Sequence, residues 1–118
     1  MKKLVWLADS RANLKSFPAG VQDDFGYALY AAQLGETSPK SRPLHGLGSG
    51  VMEIVADERG GTWRAVYTVS IGDSIYVVHA FQKKSKTAIA TPLSEIELIR
   101  RRLRQLRNEV RNAEKKSS

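Results

Sequence analysis

Four residues in the second half of this sequence have side chains that could act on a phosphate group. Arg64 lies in the segment TWRAVYTVS, His79 lies in SIYVVHAFQ, and Lys83 and Lys84 follow directly. Arginine and lysine stabilise the negative charge that develops when a phosphodiester is attacked. Histidine transfers protons near neutral pH. These residue types predict phosphate chemistry, and they leave open which residue is the general base.

Each candidate also has a structural interpretation. Arg64 could form a salt bridge with Glu53, so Glu53 is assigned an orienting role beside it. His79, a single histidine in an apolar strand, is more often structural than catalytic. Successive strand residues face opposite sides, so Lys83 is expected to share a face with Arg64, whereas Lys84 could equally be a charged strand end.

Other residues are candidates for contacts with RNA. Phe81 could stack on a base, as aromatic side chains do in RNA recognition, or simply pack beneath a loop. Arg42 and His45 lie in the proline- and glycine-rich segment 37–50, which is predicted to be a loop. These two residues and Lys86 could contact phosphate groups.

Three predicted strands must position these side chains. Segments 51–57, 62–70 and 74–82 are separated by ERGG and by Gly72-Asp73, which are hairpin signals. The turns set the pairing register of these strands. One face of the sheet, expected to be free of helices, then carries Glu53, Val55, Arg64, His79, Phe81 and Lys83. The opposite face is the predicted core, formed by Met52, Ile54, Trp63, Ala65, Tyr67, Val69, Tyr76, Val78 and Ala80.

The remaining segments complete an α+β fold. A strand is predicted at 3–8, and helices are predicted at 11–17, 18–34 and 91–113, with 113–118 as a disordered tail. The order β-α-α-β-β-β-α predicts a single domain over 1–118, an antiparallel sheet with its helices packed on one face.

Charge and composition narrow the class of partner. Residues 61–118 hold twelve of the 19 lysines and arginines but five of the 12 aspartates and glutamates, which accounts for the whole net charge of +7. This asymmetry predicts an anionic partner, a nucleic acid first and an acidic protein second. The sequence has no cysteine, no segment of membrane-spanning length and no metal-ligand spacing. It predicts a cytoplasmic protein that needs no cofactor and does not bind membranes.

The last helix carries arginines at helical spacing, Arg100, Arg104, Arg107 and Arg111. They could follow the phosphate backbone of a nucleic acid, although a solvated helix face is the favoured interpretation. Its apolar stripe is expected to dock on the sheet.

The motifs RPLHGLGSGVMEI, WRAVY, VVHAFQKK and T-P-x-x-E, taken in this order, resemble toxins of the RelE/ParE superfamily, in particular its phage-related, HigB-like branch. The resemblance spans about residues 42–103. It implies the toxin of a type II toxin–antitoxin pair, neutralised by a small helix-turn-helix antitoxin.

The resemblance also implies metal-independent cleavage of mRNA in the ribosomal A site. The 2′-hydroxyl attacks the adjacent phosphate and leaves a cyclic phosphate and a free 5′-hydroxyl. One departure is that a tyrosine found near the C-terminus of some RelE-type enzymes has no counterpart after Phe81. Two alternatives stay open, a ParE-like protein that inhibits gyrase without cleaving anything and a phage-derived RNA-binding protein without toxicity.

Overall fold

The chain forms a five-stranded sheet with helices packed against it. The computed structural model describes residues 1–58, 60–83 and 91–117. In chain order the elements are β1 (Lys3–Trp6), α1 (Ser10–Lys15), α2 (Ala19–Gln33), β2 (Ser41–Pro43), β3 (Val51–Glu58), β4 (Gly61–Thr68), β5 (Ser74–Lys83) and α3 (Leu93–Ser117).

The strands are arranged in the order β1-β5-β4-β3-β2. Strands β2 to β5 pair antiparallel, and β1 pairs parallel with β5, so the sheet is mixed. The α+β class and the predicted order of elements are confirmed. Two details differ from the prediction. Strand β1 is parallel to its neighbour, and the predicted loop 37–50 contains the short edge strand β2.

The predicted register of the hairpins is confirmed. The observed pairs include Val55 with Arg64, Arg64 with Phe81, Val66 with His79, and Thr62 with Lys83. The register shifts between Val66 and Tyr67, because β5 has one extra residue there, Val78. Such a bulge reverses the alternation beyond it. Tyr76 and Val78 therefore belong to the cluster on the Arg64 face, not to the predicted core face.

Two apolar clusters lie on opposite faces of the sheet. On one face, α1 and α2 bury residues such as Phe25 and Leu29 against Ile54, Ala65 and Tyr67. On the other, α3 packs its apolar stripe (Ile99, Leu103, Leu106) against Val51, Val66, Val78 and Phe81. The docking of α3 on the sheet is thus confirmed. The expectation of a helix-free face around Arg64 is corrected, since the stripe of α3 requires apolar partners and the bulged β5 supplies Val78 on that face.

The ends of α3 differ in detail from the prediction. The carbonyl of Pro92 accepts hydrogen bonds from the backbone amides of Glu95 and Ile96, and the helix starts at Leu93, two residues later than predicted. The helix continues to Ser117, so the tail predicted from residue 113 is helical as far as the structure describes it. Among the described residues, no helix combines the length and the apolar character needed to cross a membrane.

Candidate functional site

A buried carboxylate lies at the centre of the predicted site. Glu53 of β3 is 1% exposed and accepts hydrogen bonds from three side chains. Arg42 of β2 donates from Nε and Nη2 to its Oε1 at 3.2 and 3.0 Å. Arg64 of β4 donates from Nη1 at 3.3 and 3.4 Å. The Thr91 hydroxyl donates to Oε2 at 2.8 Å. Glu53 therefore bonds to both arginines, and its orienting role toward Arg64 stays a prediction.

Arg64 is held from two directions. Besides its bonds to Glu53, its Nη1 donates to Thr91 Oγ1 at 3.0 Å, so the threonine bridges the two charged groups. The guanidinium is almost fully buried, whereas the side chain of Arg42 is 52% exposed. Arg42 can thus be solvated on its outer side, while the orientation of Arg64 is fixed by its neighbours.

Lys83 lies on the same face as Arg64, as predicted. It pairs across the sheet with Thr62 and is 4% exposed. The loss of water around its ammonium group is the main cause that lowers the pKa of Lys83. Repulsion from Arg64 and Arg42 adds to this shift, and the Glu53 carboxylate opposes it. Lys84 and Lys86, two further predicted site residues, lie outside the described residues.

Arg42 and Arg64 line an open groove of about 480 Å³. Exposed His45 stands at its rim, so the structure brings it together with Arg42. The groove is lined by Arg42, Pro43, Leu44, His45, Glu53, Arg64, Thr91 and Ile96. A small anionic group entering here would meet two guanidinium groups.

His79 belongs to a separate hydrogen-bonded chain. Arg102 of α3 donates from Nη1 to His79 Nδ1 at 3.2 Å and to the Val78 carbonyl at 3.0 Å. Because arginine can only donate, Nδ1 is an acceptor, and Nε2 carries the proton that is donated to Glu95. Arg102 also pairs with Asp9 at 2.8 Å, and this bond lowers the pKa of Asp9. This series of hydrogen bonds connects β5 to α3 and to the segment before α1.

Phe81 stacks on His79. Their ring centroids are 5.1 Å apart with an interplanar angle of 19°. The two side chains are 7% and 4% exposed, and neither lines the groove. Phe81 packs in the cluster beneath α3, which agrees with the packing alternative for this residue.

Two residues of the site were not predicted from the sequence. Thr91 was named only as the first residue of the predicted last helix, yet its hydroxyl bonds to Glu53 and Arg64. Arg102 was not among the arginines singled out in the predicted last helix, yet it lies beside the apolar stripe of Leu103 and Leu106 and donates a hydrogen bond to His79. Position relative to that stripe was the one available signal for Arg102.

No group of three or more histidine, aspartate or glutamate side chains that could hold a metal ion occurs within 1–58, 60–83 and 91–117. The sequence matches the family model of phage-derived Gp49-like proteins (DUF891) over residues 12–104, which is more than half of the chain. The chain therefore belongs to the Gp49-like family, a RelE/toxin-like family of toxin–antitoxin systems. No curated protein matches its sequence.

Proposed function

We propose that this protein is the toxin of a type II toxin–antitoxin system and that it cleaves mRNA in the ribosomal A site. Its partners would be the ribosome and a small helix-turn-helix antitoxin. One observation carries the proposal: Arg42 and Arg64 both bond to the buried Glu53 carboxylate beside an open groove, and Lys83 lies on the same face of the sheet.

The charges in this cluster do not balance. Glu53 can neutralise one of the three cations, and the lowered pKa of Lys83 reflects both its desolvation and its repulsion from Arg64. Bringing like charges together out of water is costly. A phosphate group in the groove would supply the missing negative charge, so the cluster favours an anionic substrate.

The proposed reaction uses groups that the substrate and these residues provide. The 2′-hydroxyl gives its proton to a base, and its oxygen bonds to the adjacent phosphorus. The bond from phosphorus to the 5′-oxygen then breaks, and that oxygen takes up a proton, giving a 2′,3′-cyclic phosphate and a 5′-hydroxyl. Arg64 would stabilise the charge on the phosphate oxygens. The nucleophile belongs to the RNA and protein cations stabilise the charge, so this route requires no metal ion.

The remaining residues would have supporting roles. The lowered pKa of Lys83 brings its ammonium group closer to the range in which it can donate a proton to the leaving oxygen. Glu53 would orient Arg64, and Arg42 and His45 would contact the RNA at the groove rim. Lys84 and Lys86 are proposed to add charge near the same strand end. His79 and Phe81 would act indirectly, by fixing α3 next to the groove.

The proposal is tested by inducing the protein in a bacterial host and mapping the 5′ ends of mRNA. We expect new in-frame cuts with the wild type and their loss in Lys83→Gln. The Glu53→Gln/Arg64→Gln double variant should also be inactive, since it removes the catalytic charge and leaves neither Glu53 nor Arg64 as a buried ion without the other. Lys40→Gln is the matched control, because Lys40 is exposed and pairs only with Asp24 among the described residues.

The outcomes separate the alternatives. Growth arrest with DNA damage and without mRNA cuts would contradict the nuclease and favour a gyrase inhibitor. Cuts that persist in Lys83→Gln and in the double variant would contradict the assigned site. The absence of growth arrest would contradict the toxin itself.

A further inference from the structure

Three exposed arginines follow one flank of α3. Arg100, Arg104 and Arg111 are exposed, and none of them forms an ion pair with a described residue. Residues three, four or seven positions apart lie on the same side of a helix. The three side chains therefore form a continuous strip of positive charge, called here the α3 flank.

Contacts of neighbouring residues place this flank beside the groove. Ile96, four residues before Arg100, is part of the groove lining. Arg107, on the same side, donates from Nη2 to the Leu47 carbonyl at 2.8 Å, which holds α3 against the segment between β2 and β3. Arg100 and Arg104 thus lie between the candidate site and the Leu47 contact.

The flank ends at a second open groove. This groove has a volume of about 460 Å³, and its lining includes Gly48, Ser49, Ser70, Arg107 and Arg111. With a rise of about 1.5 Å per helical residue, about 22 Å separate Ile96 from Arg111 along the axis. One cationic surface therefore connects the two grooves.

The arrangement of charge opposes the stability of the helix. Arg100 and Arg104 are four residues apart, as are Arg107 and Arg111, and like charges at this spacing destabilise a helix. A helix that needs only a soluble face can alternate the two signs at these positions, which stabilises it instead. The sequence keeps repulsive pairs on the flank that leaves the candidate site.

We propose that the α3 flank binds the sugar–phosphate backbone of RNA that enters or leaves the groove. This inference rests on the proposed function and extends it from the cleavage site to the binding surface. The planar guanidinium group suits phosphate oxygens, and a row of cations along a groove is how single strands are bound without sequence preference. The centre of a protein interface is apolar, whereas between Arg100 and Arg111 the described residues include no exposed large hydrophobic side chain.

The test measures binding of the full chain to a fluorescent 2′-O-methyl oligonucleotide, which cannot be cleaved because it lacks the attacking hydroxyl. The test variant is Arg100→Gln/Arg104→Gln/Arg111→Gln. The control variant, Lys3→Gln/Arg11→Gln/Lys15→Gln, removes the same charge from exposed residues of β1 and α1. Affinity is measured from low to high salt by fluorescence anisotropy, with one single-stranded probe, as in mRNA, and one hairpin probe, as in folded ribosomal RNA.

We expect the test variant to bind at least about tenfold more weakly at low salt. For the single strand, the steepness of log affinity against log salt should decrease by about 2, since each of the three lost phosphate contacts contributes about 0.7. The control should keep the wild-type slope. An Arg→Lys variant at the same three positions should retain most of the slope, and it also separates lost contacts from any loss of folding. Preference for the hairpin would identify ribosomal RNA as the source of the backbone.

Three results would overturn the inference: wild-type affinity and slope in the test variant, equal losses in the control variant, or binding of an acidic protein instead of both probes. The test does not depend on catalysis. If the protein cleaves mRNA but the test variant binds normally, only the α3 flank is wrong. If binding depends on the flank but no cleavage occurs, only the nuclease activity is wrong.

Discussion

The substitution Glu53→Gln should be strongly destabilising, although it changes little in shape. The amide keeps one oxygen that can accept hydrogen bonds, but it removes the only negative charge that Arg64 contacts among the described residues. Its NH₂ group also faces donors from Arg42, Arg64 and Thr91. Removing one partner of a buried ion pair costs about 3–5 kcal/mol. Because the Gln side chain still accepts hydrogen bonds and Arg42 is half-exposed to solvent, we expect a loss of stability at the lower end of this range, about 3 kcal/mol.

Thermal unfolding followed by circular dichroism measures this effect. The entropy of unfolding is about 2.1 cal/mol/K per residue, or about 0.25 kcal/mol/K for this chain, so 3 kcal/mol corresponds to a fall in Tm of about 12 °C. The control Asp24→Asn makes the same chemical change in an exposed pair, with side chains of Lys40 and Asp24 49% and 40% exposed. That pair should contribute less than about 1 kcal/mol.

A double-mutant cycle identifies the cause. Arg64→Gln alone should also destabilise, because it leaves the Glu53 carboxylate buried with less compensation. The double variant Glu53→Gln/Arg64→Gln should recover at least about 2 kcal/mol relative to the sum of the single changes, as expected for directly interacting buried groups. A loss below about 1 kcal/mol in Glu53→Gln, or additive single effects, would refute the electrostatic explanation.

Three further predictions test other contacts in the structure. Lys83→Met should raise Tm at pH 7 while abolishing cleavage. The gain in Tm should shrink toward pH 10, because the pKa of Lys83 is lowered and Lys83 of the wild type then loses its buried charge. Thermal melts at both pH values check it. Asp9→Asn should destabilise slightly above about pH 4, and the effect should fade as the pH falls further, since Arg102 lowers the pKa of Asp9 and protonation of Asp9 at low pH removes the same contact; urea unfolding from pH 3 to 7 checks it. Gly50→Ala should cost about 2 kcal/mol, since φ is +74° and the new Cβ would lie 2.1 Å from the Ser70 hydroxyl, whereas Gly26→Ala in α2 has open space and should stabilise by about 0.5–1 kcal/mol; thermal melts of the pair check it.

Local signals in the sequence were sufficient to predict most of the sheet. The turn residues between β3 and β4 and between β4 and β5 fixed a register in which Arg64 pairs with Val55 and Phe81. From that register, alternation alone placed Glu53 and Lys83 on the face of Arg64. Strand pairing across short hairpins depends on neighbouring residues, which explains why these contacts could be predicted from one sequence.

The errors arose where distant segments compete for the same surface. The bulge at Val78 has no turn residue to mark it, and it moves Tyr76 and Val78 to the face that α3 covers. The apolar stripe of α3 indicated that the helix packs on the sheet but carried no information about which face. The pairing of β1 with β5 and the short strand β2 likewise depend on contacts between segments far apart in the sequence.

The position of α3 changes what kind of site the sheet can offer. On a helix-free face, Arg64 would be exposed and could meet RNA anywhere along its strand. With α3 in place, Arg64 is reached through the groove at the start of that helix, where Thr91 already accepts a hydrogen bond from its Nη1. An entering phosphate must therefore compete with Glu53 and Thr91 for the same donors. For the proposed substrate, the contacts that stabilise this end of the fold would thus also limit how strongly Arg64 can bind a phosphate, so the cluster that holds the groove together would set the affinity of the site.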